Sequence, residues 1–406
     1  MKNGMALITV IIVTLLLFAI IGSFLFLTTN ARIINERYHE NLIALGLAEA
    51  GVDYAIWEIN FGGGDFAGWS GTNPKTTTIN NFQDAYSIVY GDIAISVYNP
   101  GSQEVAIISQ GTLSSITGPT VSRRVRVLLK EHKLFKYAIL AAEIIDINGD
   151  ENKTDSYDSS LGPYGGANIG ANGDIVTNGQ ENPAISIQGN AAVDGDAATG
   201  PGGTISVGGS AELNGTPGDN AEVFMPSVSV PESLTSLSSL GAISLGSTDS
   251  LELFTGNYKY NSLNLTSQAQ LILNGDVNLY FTQNPSITTG SQSQIVVRNG
   301  EANIYFDGDV SITGQGVSNE GGYPSDLTFY GTDTVTNISL SGIGAFYGCF
   351  YAPTADYFYI SGNSNIYGSV VGKNVSLAGT AAIHYDERLM EDSSTIGYDP
   401  YAWQEK

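Results

Sequence analysis

From Met5 to Leu27 the chain reads MALITVIIVTLLLFAIIGSFLFL, an uncharged run whose apolar positions favour no single face. As a helix this run rises about 35 Å, enough to cross a hydrocarbon core of about 30 Å. It is longer than the apolar core of a secretory signal, and no small-residue cleavage site follows it. Past Leu27 the apolar pattern narrows to a stripe. Ile34, Tyr38, Leu42, Leu45, Val52, Ile56 and Ile59 recur at spacings of three, four and seven, with Arg32, Glu36 and Glu40 on another face. That spacing predicts one helix continuing to Asn60. Gly62-Gly63-Gly64 predicts its end, and Gly22-Ser23 is a soft point within the apolar half.

Three strands are predicted next. Ile93, Ile95 and Val97 alternate with small or polar neighbours, Val105 to Ile108 is a short apolar run, and Val125, Val127 and Leu129 alternate again. Asn99-Pro100-Gly101 and Thr117-Gly118-Pro119 are turn signals between them. A small antiparallel sheet following a long helix is expected.

Beyond residue 137 the alternation repeats. Ile185 opens ISIQGNAAVDG, Ile205 ISVGGSAELNG, Ile338 ISLSGIGAFYG, Phe358 FYISGNSNIYG and Val375 VSLAGTAAIHY, with looser copies from Leu263, Ile287 and Val310. Alternation sends one residue in and the next out, and the glycine permits a corner. Such a unit predicts a right-handed parallel β-helix, in which each coil buries its apolar positions on the next. Seven or more coils would form a rod roughly 40 Å long. A β-sandwich is the alternative. Phe224 to Ser250 breaks the pattern with Pro226, Pro231 and many serines, and is read as an excursion along the outside or a seam between two blocks of coils.

GMALITVIIVTLLL and, later, LAEAGVDYAI (Leu47 to Ile56) resemble the amino-terminal family of PilX-type pilus assembly proteins and are similar to the large minor pseudopilins of type II secretion. The resemblance covers about the first 60 residues. It implies that a prepilin peptidase cuts after Gly4, leaving Met5 as the mature amino terminus. Most major pilins of this kind carry a glutamate five residues into the mature chain, inside the filament core; Thr9 stands there instead, which points to a minor or tip-type subunit. The implied partners are other pilin-like subunits and an inner-membrane assembly platform. The implied location is a single pass through a bacterial inner membrane, amino terminus in the cytoplasm, with everything after Leu27 outside and on the cell surface after assembly. Charge alone leaves the orientation open, since Lys2 stands on one side and Arg32 and Arg37 on the other. SYDSSLGPYGG (Ser156 to Gly166) and IHYDERL (Ile383 to Leu389) resemble a carboxy-terminal domain of PilX-type surface proteins, a resemblance that carries no activity.

The expected architecture is therefore an α+β membrane-anchored chain. Residues 1–4 form a leader, 5–60 the long helix, 61–136 a β head, 137–390 the β-helix and 391–406 a tail. Charge divides it similarly. Residues 1–136 hold ten basic and ten acidic side chains, whereas residues 137–406 hold six and thirty, the whole of the net charge of −24. Such a surface repels phosphate backbones, which argues against nucleic acid as a partner. Arg123, Arg124, Arg126, Lys130, Lys133 and Lys136 crowd the end of the first part. Cys349, the single cysteine, excludes an intrachain disulfide and is read as a small buried hydrophobe.

A parallel β-helix on a membrane anchor also suits a polysaccharide-active enzyme, the rival to a structural subunit. Asp194/Asp196 and Asp307/Asp309 share a face, as two hydrolytic carboxylates must, but thirty acids make such pairs common. The basic residues a lyase needs are scattered, and no catalytic set is assigned. His384-Tyr385-Asp386 is read as closing the last coil rather than as an acid–base or metal group. Asp146, Asn148 and Asp150 resemble the start of a calcium loop, but Glu151 stands where that loop needs glycine. No cofactor is expected, although irregular calcium binding to the acidic surface stays open. The tyrosines of Tyr357 to Tyr359 and the segment Asn363-Ser364-Asn365 either stack on a surface glycan or fill ladders along the rod. A surface glycan or protein ligand is the expected partner of this part.

Overall fold

The computed structural model describes residues 2–60, 66–83, 89–113, 119–290, 292–393 and 395–405, with the backbone alone for residues 2–9, 83, 89–90, 151–152 and 395–396. Gly62-Gly63-Gly64 and the Thr117-Gly118 half of the second turn signal lie outside the described residues, as do the side chains of Met5 and Thr9. The chain forms two compact units, residues 1–132 with 395–406, and residues 133–394.

The first unit begins with helix α1, Lys2–Asn60. It runs unbroken through Gly22-Ser23, where the Ser23 hydroxyl donates to the Ala19 carbonyl at 2.8 Å. Val10 to Leu27 is bare apolar surface, and α1 is the one helix among the described residues long and apolar enough to cross a membrane. A sheet follows: β1 (Lys75–Gln83), β2 (Val89–Tyr98), β3 (Glu104–Leu113) and β4 (Val121–Lys133) pair in sequence order, each antiparallel to the last. The predicted apolar positions Ile93, Ile95, Val97, Val105, Ile107, Val125, Val127 and Leu129 form its inner face. Residues 395–405, read from the sequence as part of a tail, form a fifth strand beside β4. Strand β1 (KTTTINNFQ) was not legible either, because its polar run hides the alternation.

The face that α1 turns to this sheet takes in the second half of the predicted stripe, Leu45, Val52, Ile56 and Ile59, and leaves out the first. Ala44, Leu47, Ala48, Val52 and Ala55 are buried, whereas Ile34, Tyr38 and Leu42 are 67%, 67% and 49% exposed. The reason is spacing. A Cβ on Gly51 would stand 2.2 Å from Ser109 Oγ, and one on Gly111 would stand 2.2 Å from the Ala44 carbonyl oxygen. Helix and sheet approach so closely here that Ala44, Ala48 and Gly51 form the tightest part of the seam, beside Leu47 and Val52.

The second unit is rich in strands, and every registered pairing within it is parallel. The repeat starts fall into one column. In spatial order it runs Ile205, Ile185, Ile145, Val375, Phe358, Ile338, Val310, Ile287, Leu263, Ile243, each opposite the next. Eight of these ten are buried to 1% exposure or less, and the two at the ends of the column are the most exposed.

Spatial order is not chain order. The chain starts in the middle of the column with β5 (Ile139–Tyr157) and builds outwards through Ile185 to Ile205. Residues 219–242 then carry it to the opposite end. Val223 exchanges hydrogen bonds with Asn178, the Pro226 carbonyl accepts from Tyr351, the Thr235 carbonyl accepts from Lys259, and Leu234 is fully buried. From Ile243 the rows return towards the middle until residues 365–379 pair with β5. The pattern break is thus an excursion that links the two blocks along the chain, whereas the seam at which they meet lies between residues 365–379 and β5. His384-Tyr385-Asp386 belongs to the last row in chain order, and residues 382–386 pair with residues 153–157 of the first, so that row lies in the middle of the column while the rows of Ile205 and Ile243 lie at its ends.

Candidate functional site

The junction between first and last rows gathers the unit's most concentrated buried charge. His384 lies opposite Asp155, and its Nδ1 stands 2.5 Å from Asp155 Oδ1. Tyr164 donates its hydroxyl to Asp155 Oδ2 at 2.6 Å, and Lys153 Nζ lies 3.2 Å from both Asp155 and Asp194. Burial alone would raise the Asp155 carboxyl. The bonds from His384 and Tyr164 and the nearby positive charge outweigh it and hold Asp155 below the usual carboxylate range. Above this pair Tyr347, Tyr367 and His384 stack at 4.4 Å and 4.9 Å. Asp155 and His384 are both buried, so the cluster fastens two rows together and offers no open reacting position.

The other sequence candidates are likewise occupied in joining rows. Asp194 accepts from Asn214, and Asp196 from the Thr216 amide. Asp307 accepts from Tyr280 and Thr332, while Asp309 accepts from Thr336 and the Asn337 amide. Asp146, Asn148 and Asp150 lie along β5, where Asp150 accepts from Asn190. Among the described residues no group of three or more His, Cys, Asp or Glu side chains could hold a metal ion. Cys349 is fully buried, and burial pushes its thiol up. Tyr357 and Tyr359 are exposed and stacked on one another at 5.9 Å.

An open groove that sequence reasoning missed lies elsewhere in the same unit. It encloses about 640 Å³, lined by Asn303, Tyr305, Thr328 and Tyr330 from two adjacent rows, by the loop residues Tyr323 and Asp326, and by the turn that carries Arg388. Two outward columns build it. Asn257, Asn278, Asn303 and Thr328 face one another in register, as do Lys259, Tyr280, Tyr305 and Tyr330. Amide bonds link Asn303 to Asn278 and Asn278 to Asn257 at 3.1 Å and 2.9 Å, and the rings of Tyr305 and Tyr330 stack at 4.8 Å. The recurring NLYF (278–281) and NIYF (303–306) carry this signal in their outward Asn and Tyr, between the inward apolar positions that mark the repeat.

Arg388 sits 5.4 Å from the centre of the Tyr323 ring and bonds Asp392 at 2.5 Å. The carboxyl of Asp326 is pushed up to about 6, chiefly by burial and then by the charge of Glu301, against the pull of Arg388. Tyr323 and Asp326 also line a second depression of about 350 Å³, reached by Asn299 and Glu320. Tyr323 lines a third of about 200 Å³ beside Tyr157 and Tyr347. Three hollows therefore share one tyrosine.

Comparison with known proteins is sparse. The family model described as "Domain of unknown function (DUF7305)" matches residues 235–392, from the end of the excursion to the turn bearing Arg388. No curated protein matches the sequence. Among solved structures, the competence-associated pilin ComZ from Thermus thermophilus aligns at 10% identity and a TM-score of 0.24, over 91% of this chain and 98% of that one.

Proposed function

We propose that this chain is a minor pilin-like or pseudopilin-like subunit of a type IV pilus or type II secretion-like filament, displaying an acidic parallel β-helix outside the cell for assembly and surface contact. The observation that carries the reading is helix α1. Its bare apolar surface from Val10 to Leu27 continues past membrane length into the exposed Ile34, Tyr38 and Leu42, and its last third is bedded on a small antiparallel sheet. A membrane anchor alone needs no apolar surface beyond the bilayer. A helix that packs against neighbouring helices in a filament does. Cleavage after Gly4 by a prepilin peptidase, Met5 as the mature amino terminus, Thr9 in the filament core and docking on an inner-membrane platform belong to the same reading. The ten-residue column from Ile205 to Ile243 supports the β-helix.

Amino-terminal sequencing of the mature protein tests the proposal. Met5 is the expected first residue, and Gly4→Leu is expected to leave a longer, membrane-retained precursor. An intact Met1 in the wild type, or cleavage after Leu27, overturns it.

One observation favours a second reading, a membrane-anchored polysaccharide-active enzyme. Asp326, its carboxyl pushed up to about 6 by burial, lies in one groove with Glu301, and a carboxyl that holds its proton beside a second carboxyl group is what glycoside hydrolysis uses. Release of new reducing ends from a polysaccharide, abolished by Asp326→Asn, would establish it.

A further inference from the structure

We infer that the groove around Tyr323 binds an extended, non-acidic oligosaccharide. The inference rests on the reading of this unit as a displayed contact surface and names what it contacts.

Shape comes first. The main hollow of about 640 Å³ and its neighbours of about 350 and 200 Å³ share Tyr323, so the ligand best suited to them is a chain that passes the ring and fills several positions. A single small molecule would occupy one hollow and leave the others empty.

Chemistry then narrows the class. Asn303, Thr328 and Ser325 offer amide and hydroxyl groups, and Tyr305, Tyr323 and Tyr330 offer ring edges and phenols. Ring edges that pack against apolar sugar patches, with phenols, amides and carboxylates that bond sugar hydroxyls, are the means available for holding a polyhydroxylated chain. The floor repeats once per row, about 4.8 Å apart. The two rows that line the main hollow offer Asn303 with Tyr305 and Thr328 with Tyr330, so adjacent positions of a chain each meet a hydrogen-bonding side chain and a phenol.

Charge sets the sign. Glu301, Asp326 and Asp392 line the main hollow, and its guanidinium, Arg388, is already bonded to Asp392. The neighbouring hollow adds Glu320, itself paired with Arg298 at 2.7 Å. A uronate or sulfated chain would bring further anions into a site that already crowds them, whereas neutral and amino sugars would not.

The test uses the full chain in a detergent that carries no sugar headgroup, applied to an array of hexasaccharides. Neutral and amino-sugar chains form one set and uronate and sulfated chains the other. Binding is expected within the first set and none in the second. Tyr323→Ala, in an exposed loop, is expected to weaken binding at least tenfold with an unchanged melting temperature. Tyr357→Ala, outside the groove, is expected to leave binding as it was. Silence across the first set, preference for the second, or full binding by the Tyr323 variant overturns the inference. None of these readouts depends on processing at Gly4, so the groove and the filament reading fail separately.

Discussion

Val375 and Ile145 face one another across a parallel ladder although they belong to the last and the first rows of the second unit. A chain that simply coiled from one end to the other would place them at opposite ends. Here they sit at the centre, so the contacts that complete the stack are also those most distant in sequence. Pairing between the last and first rows must close a loop of more than two hundred residues, so its entropy cost is met only when both rows bury their apolar positions together.

Interior and terminal positions of the column should therefore respond differently to the same substitution. Ile145→Ala removes a fully buried side chain with rows on both sides, and is expected to cost about 2–5 kcal/mol. Ile205→Ala, in an end row and half-buried, is expected to cost about 1 kcal/mol or less. Denaturant melts of both variants check this. Equal losses would mean that the Ile205 row is covered as fully as the centre.

The Asp155–His384 pair is predicted to hold the two central rows together. Asp155→Ala leaves Tyr164 and the buried His384 without this acceptor and Lys153 with Asp194 alone, and is expected to cost about 3–5 kcal/mol. The pH dependence follows from the depressed carboxyl. Asp155 releases its proton more readily folded than unfolded, so its contribution is present above the unfolded value of about 3.9 and fades as the pH falls through the lower folded value. The wild type should lose stability steeply in that acid range, and Asp155→Asn should lose less. Parallel acid curves for the two proteins would sink the assignment.

Asp326 should act in the opposite sense. Its carboxyl, near 6 in the folded chain, binds its proton more tightly folded than unfolded. Stability is therefore lost as pH rises from about 4 to about 6, and the loss is complete above that. Because the group is only half-buried and solvent screens it, the effect is about 1 kcal/mol. Asp326→Asn should thus raise the melting temperature at pH 7 and leave it unchanged at pH 4. A variant less stable at both pH values would mean that the carboxylate is held by favourable bonds.

How far these features were legible follows from what each depends on. The starts of the repeats were readable because Ile185, Ile338, Phe358 and Val375 sit two residues before another inward apolar residue and four before a glycine, a local pattern. Their spatial order was not. Nothing local distinguishes a row that pairs with its predecessor from one that pairs with β5, and the excursion through Pro226 and Pro231 tells only that the pattern stops. The helix shows a similar limit. Ile34, Tyr38 and Leu42 have the spacing of a buried stripe, yet the sheet rests on Ala44, Ala48 and Gly51, because the close approach is set by Gly111 on a strand far along the chain. The groove escaped notice for a third reason: its residues come from two rows, a loop and a terminal turn, and only the fold gathers them.

That close approach gives a test of the head. Gly111→Ala places a methyl against the Ala44 carbonyl oxygen, a backbone atom that cannot swing away. Overpacking there is expected to cost about 1–3 kcal/mol and to loosen α1 from the sheet, read as faster proteolysis within residues 28–60. Gly46→Ala, where nothing lies near the added methyl, should be neutral or slightly stabilising. Equal protease resistance in both variants would contradict the packing.

The last prediction concerns where the subunit stands in a filament: at the tip, or sparsely along the shaft. Thr9 carries no carboxylate with which to neutralise a neighbour's amino group, and an unpaired charge within an apolar core is costly. A continuous row of such subunits would repeat that cost at every step, while a subunit at the end meets it once at most. The second unit adds repulsion, since residues 137–406 carry thirty acids against six bases, and adjacent copies would press like charges together. Thr9→Glu should therefore relieve the first cost but leave the second, so that it changes incorporation only slightly. Immunogold labelling of sheared filaments reads the outcome directly. Label confined to ends or widely spaced supports the assignment. Continuous label at the stoichiometry of the major subunit would refute it, and would require another group to pair with the amino terminus of Met5.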